Sequence, residues 1–246
     1  MQPRAFIAAA VAAVAVLGVL FALILVLAPV VVGPTADEAP APTWGRPAEP
    51  PTPAATSTRP GVAGGVDARW LAATAERTGI PERPLAAYAG VALAKANSMP
   101  TCGLSWNTLA AIGYAESRHG THGGSAIGVD GTVTPGIFGV ALAGGETAHI
   151  PDSDGGAIDG DATFDRAVGP MQLIPQTWRN WHIDASGDGV EDPQNIDDAT
   201  LATANYLCRA SGDMASEDGW RAGVAAYNSA DSYLLAVAAA ADDYAG

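Results

Sequence analysis

Residues Trp106–Gly120, WNTLAAIGYAESRHG, decide how the rest of the chain reads. Trp106, Leu109, Ile112 and Gly113 recur at helical spacing, and Glu116 follows Leu109 and Ile112 at i+7 and i+4. The pattern predicts a helix over 105–117 that stops at Gly120. It places the Glu116 carboxyl on the apolar face, near the helix end. Burial disfavours the ionised form, and the negative end of the helix dipole acts in the same direction. A glutamate so placed is a candidate general acid, able to hold a proton near neutral pH. The alternative is a side chain that swings out to solvent or pairs with Arg118.

Composition narrows the partners. The net charge of −14 lies wholly beyond residue 66, because residues 1–66 carry three basic and three acidic side chains. No basic patch exists that could neutralise phosphates, so nucleic acid is excluded as a partner. An acidic domain is also unsuited to charge-driven adhesion to anionic wall polymers; a glycan would be held by hydrogen bonds and apolar stacking.

Three segments follow one another. From Ala5 to Val32 no charged residue occurs, longer than the ~20 residues that span a bilayer and than the ~7–15 of a cleaved secretory core. Residues 1–32 are therefore expected to be an uncleaved membrane anchor, with a cleaved signal as the alternative; either way the remainder is exported, facing the cell wall. Residues 33–60 hold eight prolines and one large aromatic, Trp44. Residues 33–66 are expected to form an extended linker that cannot bury a core. From Asp67 onward, helical patterns recur at 67–78, 82–98, 105–117, 175–182, 195–210, 217–228 and 230–243, with no alternating strand pattern. The expectation for 67–246 is an all-α domain. The Gly- and Asp-rich stretch 118–165 is too long for an idle connection and reads as a groove wall beside Glu116.

Cys102 and Cys208 are the only cysteines, and an even pair in an exported domain favours a disulfide over two separate buried thiols. His119 and His122 lack a third ligand at metal-site spacing, so His119 is expected to line the cleft or help end its helix. The run Asp184-Ala-Ser186-Gly-Asp188-Gly-Val190-Glu-Asp192 has oxygen ligands at positions 1, 3 and 5 and Gly at 6, the opening of a calcium loop. Position 12 is Asn195 rather than Glu, leaving Asp192 and the Val190 carbonyl to complete a site; the alternative is an Asx-turn loop with solvated carboxylates.

Two further stretches complete a pattern with Glu116-Ser117: Val168–Gln172, VGPMQ, and Ala226–Ser229, AYNS. Their order and spacing, with the longer strings Asp159–Trp178 and Glu191–Cys208, resemble the lytic transglycosylases, in particular the membrane-bound lytic transglycosylase B-like branch of the lysozyme-like superfamily in its actinobacterial form. The resemblance covers about Asp67 to Gly246. It implies a lysozyme-like helical domain, and in that family a comparable D-x-S-G-D-G loop binds calcium. It further implies that Glu116 protonates the glycosidic oxygen between N-acetylmuramic acid and N-acetylglucosamine in peptidoglycan strands. The substrate's own N-acetyl oxygen then stabilises the positive sugar. Glu116 finally removes a proton from the muramoyl C6 hydroxyl, which closes a 1,6-anhydro ring. Ser117, Gly169, Pro170, Met171, Gln172, Tyr227 and Asn228 are the expected substrate-side residues, Ser117 to position Glu116 or the following turn rather than perform chemistry, and Asn228 to end its helix or orient substrate. Gly169 would permit close approach, Met171 an apolar contact or simple core packing, Gln172 an amide, and Tyr227 a hydrogen bond to Glu116 or to an acetamido group. Calcium would be structural, and catalysis would need no cofactor. The rivals are a hydrolytic muramidase of the same fold, drawing its base from the aspartates between Asp130 and Asp165, and a non-catalytic cell-wall binding protein.

Overall fold

The computed structural model describes residues 42–246 except Thr58 and Glu146. The expected anchor, and the linker up to residue 41, lie outside the described residues. Among those described, no helix is long and apolar enough to cross a membrane.

Asp67 starts α1 (Ala68–Thr78) by accepting from the Arg69 and Trp70 amides, both at 3.0 Å, and Gly79 ends it in the left-handed conformation. Helix α2 (Glu82–Ser98) runs through the middle of the domain, with Leu85, Tyr88 and Val91 fully buried. Glycine recurs where α2 meets its neighbours. A Cβ on Gly90 would stand 2.2 Å from the Val62 carbonyl oxygen, and one on Gly113 would stand 2.1 Å from the Tyr88 hydroxyl. The second contact lets α3 (Trp106–Ser117) lie close against α2. After a short antiparallel pair, β1 (Ala126–Ile127) with β2 (Val133–Thr134), the remaining helices are α4 (Pro175–Trp181), α5 (Ile196–Ser211), α6 (Glu217–Tyr227) and α7 (Asp231–Ala245).

All seven expected helices are present, within a residue or two at each end. The all-α expectation needs one correction. Residues 126–173 are held by β1–β2 and by isolated antiparallel bridges, including Phe138 with Val168, Pro151 with Phe164 and Val168 with Leu173. Asx turns brace the segment further. Asp152 accepts from the amides of Asp154, Gly155 and Gly156, and Asp161 from those of Thr163 and Phe164. Cys102 and Cys208 form the expected disulfide, closing a sequence separation of 106 between the turn before α3 and the last turn of α5. In the chain-entropy treatment such a loop is worth up to ~4–5 kcal/mol.

The expected linker is corrected more substantially, because residues 42–66 pack on the domain. The Trp106 indole donates to the Glu49 carbonyl at 3.0 Å, and the Arg221 guanidinium to the Thr43 carbonyl at 3.0 Å. Asn107, fully buried, accepts from the Ala48 amide at 3.1 Å and donates to the carbonyls of Arg46 at 2.8 Å and Ala241 at 2.9 Å. Trp44 lies partly buried against the core. Farther along, Pro53 bridges Val66, and the 3-10 turn Val62–Gly65 sits under α2. Proline content does not prevent this packing, since the segment contributes mainly backbone carbonyl acceptors.

Helices α3 and α7 run antiparallel and are pinned at both ends, by Asn107 to the Ala241 carbonyl and by Tyr233 to Glu116. Replacing Asn107 with Leu leaves buried carbonyls without donors, at about 1–3 kcal/mol. Thermal unfolding of the full chain should show a drop of about 2–4 °C per kcal/mol. An unchanged melting temperature would mean that residues 42–49 contribute nothing to this pairing.

Candidate functional site

Glu116 occupies the last turn of α3, which ends because Arg118, His119 and Gly120 all take positive φ, at 54°, 59° and 80°. The His119 amide then donates to the Gly113 carbonyl at 3.0 Å. Among the described residues no cation pairs with Glu116: Arg118 lies over the Tyr114 ring, 4.0 Å from its centroid. The partner of Glu116 is the Tyr233 hydroxyl, which donates to Oε1 at 2.5 Å. Burial pushes the Glu116 carboxyl up to about 7, outweighing the Tyr233 hydrogen bond, which favours the ionised form. The Tyr233 phenol is itself raised, first by burial and then by the charge of Glu116, so it remains a donor while Glu116 titrates.

Glu116 opens onto a groove of about 630 Å³. With Glu116, Leu142, Thr147, Gln172, Ile174, Tyr227 and Asn228 line it. Glu116 is the only acidic side chain among the described residues that line it. The aspartates between 130 and 165 are engaged elsewhere. Asp130 holds its own turn through the Thr132 amide, Asp161 pairs with Arg166, and the fully buried Asp165 accepts from the amide and hydroxyl of Ser153.

The expected substrate-side residues divide into two groups. Gln172, Tyr227 and Asn228 stand at the groove with Glu116. Ser117, Gly169, Pro170 and Met171 lie behind it as scaffold, which for Ser117 is the expected positioning role and for Met171 the core packing expected as the alternative. Val168 and Leu173 exchange backbone hydrogen bonds at 2.9 and 3.1 Å to close a tight hairpin, in which Gly169 and Gln172 have φ of 76° and 50°. Gly169 is needed for packing rather than for ligand approach, since a Cβ there would lie 1.8 Å from the Pro193 carbonyl oxygen. Ser117 is 1 % exposed and donates to the Pro170 carbonyl at 2.6 Å, while accepting from the Gly120 amide at 2.8 Å. The Met171 side chain is fully buried in the core. Its carbonyl accepts from the Tyr227 hydroxyl at 2.5 Å, so of the two partners expected for Tyr227 it does not take Glu116. Asn228 follows the last residue of α6 and accepts from the Ala230 amide at 3.0 Å. Tyr233 makes the bond to Glu116 that is one of the two roles expected of Tyr227. Its place in a long, mostly apolar helix gives no local sign of that.

His119 does not reach the groove. It sits between the Tyr88 and Tyr244 hydroxyls at 3.2 and 3.1 Å, and burial, aided by the charge of Arg118, lowers its pKa to about 4. His122 is exposed in the following 3-10 turn. In the 184–192 loop, Asp184 accepts from the amides of Gly187 and Gly189 and from the Ser186 hydroxyl, and Asp188 accepts from the Val190 amide. Asn195 is committed elsewhere, capping α5 and donating to the Asp130 carbonyl. The acid that organises the loop is Asp198, fully buried, which accepts from the amides of Ala185, Ser186 and Asp192. Burial, with a smaller push from the charge of Asp184, raises its carboxyl to about 6. The loop's oxygen donors fit a hard divalent cation in type. The acidic group that converges among the described residues lies elsewhere, at Asp152, Asp154 and Asp165.

No curated protein and no solved structure matches the chain. Residues 160–226 match the family model described as the Transglycosylase SLT domain. The matched segment takes in the 168–173 hairpin, α4, the 184–192 loop, α5 and all but the last residue of α6; Glu116 and Tyr233 lie outside it. Over residues 160–226 the chain is thus similar to a transglycosylase domain.

Proposed function

We propose that the chain is a peptidoglycan lytic transglycosylase of the membrane-bound lytic transglycosylase B-like type, anchored by residues 1–32 with its helical domain facing the wall. One observation carries the reading: a carboxyl titrating near 7 faces a groove whose described lining holds no second acid. A hydrolase of the two-carboxylate kind needs an acid and a base or nucleophile about 5–9.5 Å apart across the scissile bond. A lytic transglycosylase needs one group that gives a proton and then takes one. Protonated Glu116 gives its proton to the glycosidic oxygen, and the leaving sugar departs. The N-acetyl oxygen of the remaining muramoyl unit stabilises C1. Glu116, now a carboxylate, accepts the C6 hydroxyl proton as that oxygen attacks C1, and the product carries a 1,6-anhydro end. Tyr233 holds the carboxyl in one orientation for both transfers. Gln172 and Asn228 offer amides to the sugar's hydroxyl and acetamido groups.

Calcium, where bound, would be held by Asp184, Ser186, Asp188, the Val190 carbonyl and Asp192. It would fasten this loop to α5 and take no part in proton transfer. A chelator should then lower the melting temperature of the full chain and added calcium restore it; no shift in either direction would leave a solvated turn.

Digestion of purified peptidoglycan by the full chain, with products resolved by mass spectrometry, is expected to release anhydromuropeptides. Glu116→Gln should reduce their formation at least ~10²-fold, the usual contribution of one general acid–base. Products one water (~18 Da) heavier would identify a muramidase, which requires a second carboxylate. No products from folded protein would identify a binding protein.

The same assay has a defined pH dependence. Glu116 must begin protonated, so turnover should be high below pH 7 and fall as pH rises through about 7. Tyr233→Phe removes the hydrogen bond that favours the carboxylate, so it should move this alkaline limb upward. It should also slow turnover about 10–100-fold, the worth of a hydrogen bond to a charged group. An unmoved limb would show that Tyr233 does not act on Glu116.

A further inference from the structure

Lys95 is the sole lysine of the chain, whose other fixed cations are all arginines. It lies in the last turn of α2 and is 5 % exposed. Its ammonium has three N–H donors, one of which goes to the Asn205 side-chain oxygen at 3.1 Å. Among the described residues it has no ion-pair partner, and neither has Arg209, one turn beyond Asn205 on α5. Both cations line a depression of about 350 Å³ between the C-terminal ends of α2 and α5, with Met99 and Trp181 supplying apolar wall and no acidic residue among the described residues of the lining.

Helix ends explain part of this arrangement. A cation in the last turn offsets the negative end of the helix dipole, roughly −0.5 charge for each of the two helices. Two cations against about −1 leave a surplus of about +1. The dipole does not explain why this lysine is almost wholly covered, with its ammonium partly desolvated. Desolvating it is unfavourable and lowers its proton affinity, so a packed helix pair would be better served by Met or Leu. We infer that this depression is a binding site for a monovalent carboxylate on an apolar body, such as the C-terminal end of a short peptide. Lys95 and Arg209 would contact the carboxylate, with Trp181 and Met99 against the carbon chain. The surplus of one charge balances a monoanion and not a phosphate dianion. The guanidinium fork of Arg209 suits two carboxylate oxygens, and Met99, 43 % exposed, can fit several side chains. This site is separate from the Glu116 groove, and its assignment is independent of the reaction proposed there.

A single lysine makes the test direct. Full chain labelled with 13C,15N-lysine gives one Cε–Nζ signal, which is followed while N-acetyl-alanyl-alanine is added. The expected result is a saturable shift with a Kd of about 1 mM or tighter, absent with the C-terminal carboxamide of the same dipeptide. Arg209→Gln, an exposed substitution compatible with folding, should weaken binding about 10-fold. No shift with the dipeptide, or an equal shift with its carboxamide, would overturn the site. An equal response to inorganic phosphate would overturn its assignment to a carboxylate.

Discussion

Everything at the groove depends on placing one uncompensated carboxyl at the negative end of a packed helix. Burial and the dipole of α3 both penalise the charged form of Glu116, and no cation among the described residues offsets them. Such a group persists because it can be neutral at physiological pH, and because the neighbouring phenol bonds either protonation state. The arrangement separates two tasks. Tyr227 and Tyr233 are buried phenols whose proton affinity is raised further by the charge of Glu116, so both stay donors. Among the described groove residues, proton occupancy near neutral pH then varies at Glu116 alone.

The 168–173 hairpin is what brings three distant stretches of chain to that carboxyl. Its carbonyls receive Ser117 from the end of α3 and Tyr227 from the end of α6, through Pro170 and Met171 respectively. Its back is seated on Pro193 through Gly169, with no room for a Cβ. A residue beside the acid, the hairpin and the end of α6 are thereby tied together by backbone acceptors that are indifferent to side-chain identity. The donors are not interchangeable. Ser117→Ala or Tyr227→Phe would each leave a carbonyl in a crowded place without its partner, at about 1–3 kcal/mol. The short motifs in the sequence thus mark a joint as much as a binding surface.

The helices were legible because their signals are local. Asp67, Asn195 and Ser216 cap helices with their own side chains, and Gly79 and Gly212 end them at positive φ. Glu116 was legible for the same reason, since its apolar periodicity and the stop after it lie within fifteen residues. The bond from Tyr233 was not, because it spans 117 residues and nothing near Tyr233 distinguishes it from a half-buried helical tyrosine. The aspartate-rich stretch misled in another way. Its strands are one or two residues long, too short for any alternation, and its carboxylates are used to fold the loop by bonding nearby amides. Acids so committed are poorly placed to serve as a second catalytic base.

Residues 42–66 show why composition gives the wrong answer for a segment that supplies acceptors. A proline-rich stretch lacks amide donors and large apolar side chains, the marks of a spacer. Extended backbone nevertheless presents its carbonyls outward, and proline reduces the entropy lost when the segment is held. The start of α3 carries donors that need such acceptors, the Trp106 indole and the Asn107 amide, and both find them in Arg46–Glu49. Asn107 passes the restraint on to α7 through Ala241, and α7 returns it to the far end of α3 through Tyr233. Glu116 is therefore located from both ends of its helix. The segment closing that circuit is the one its composition had marked as idle.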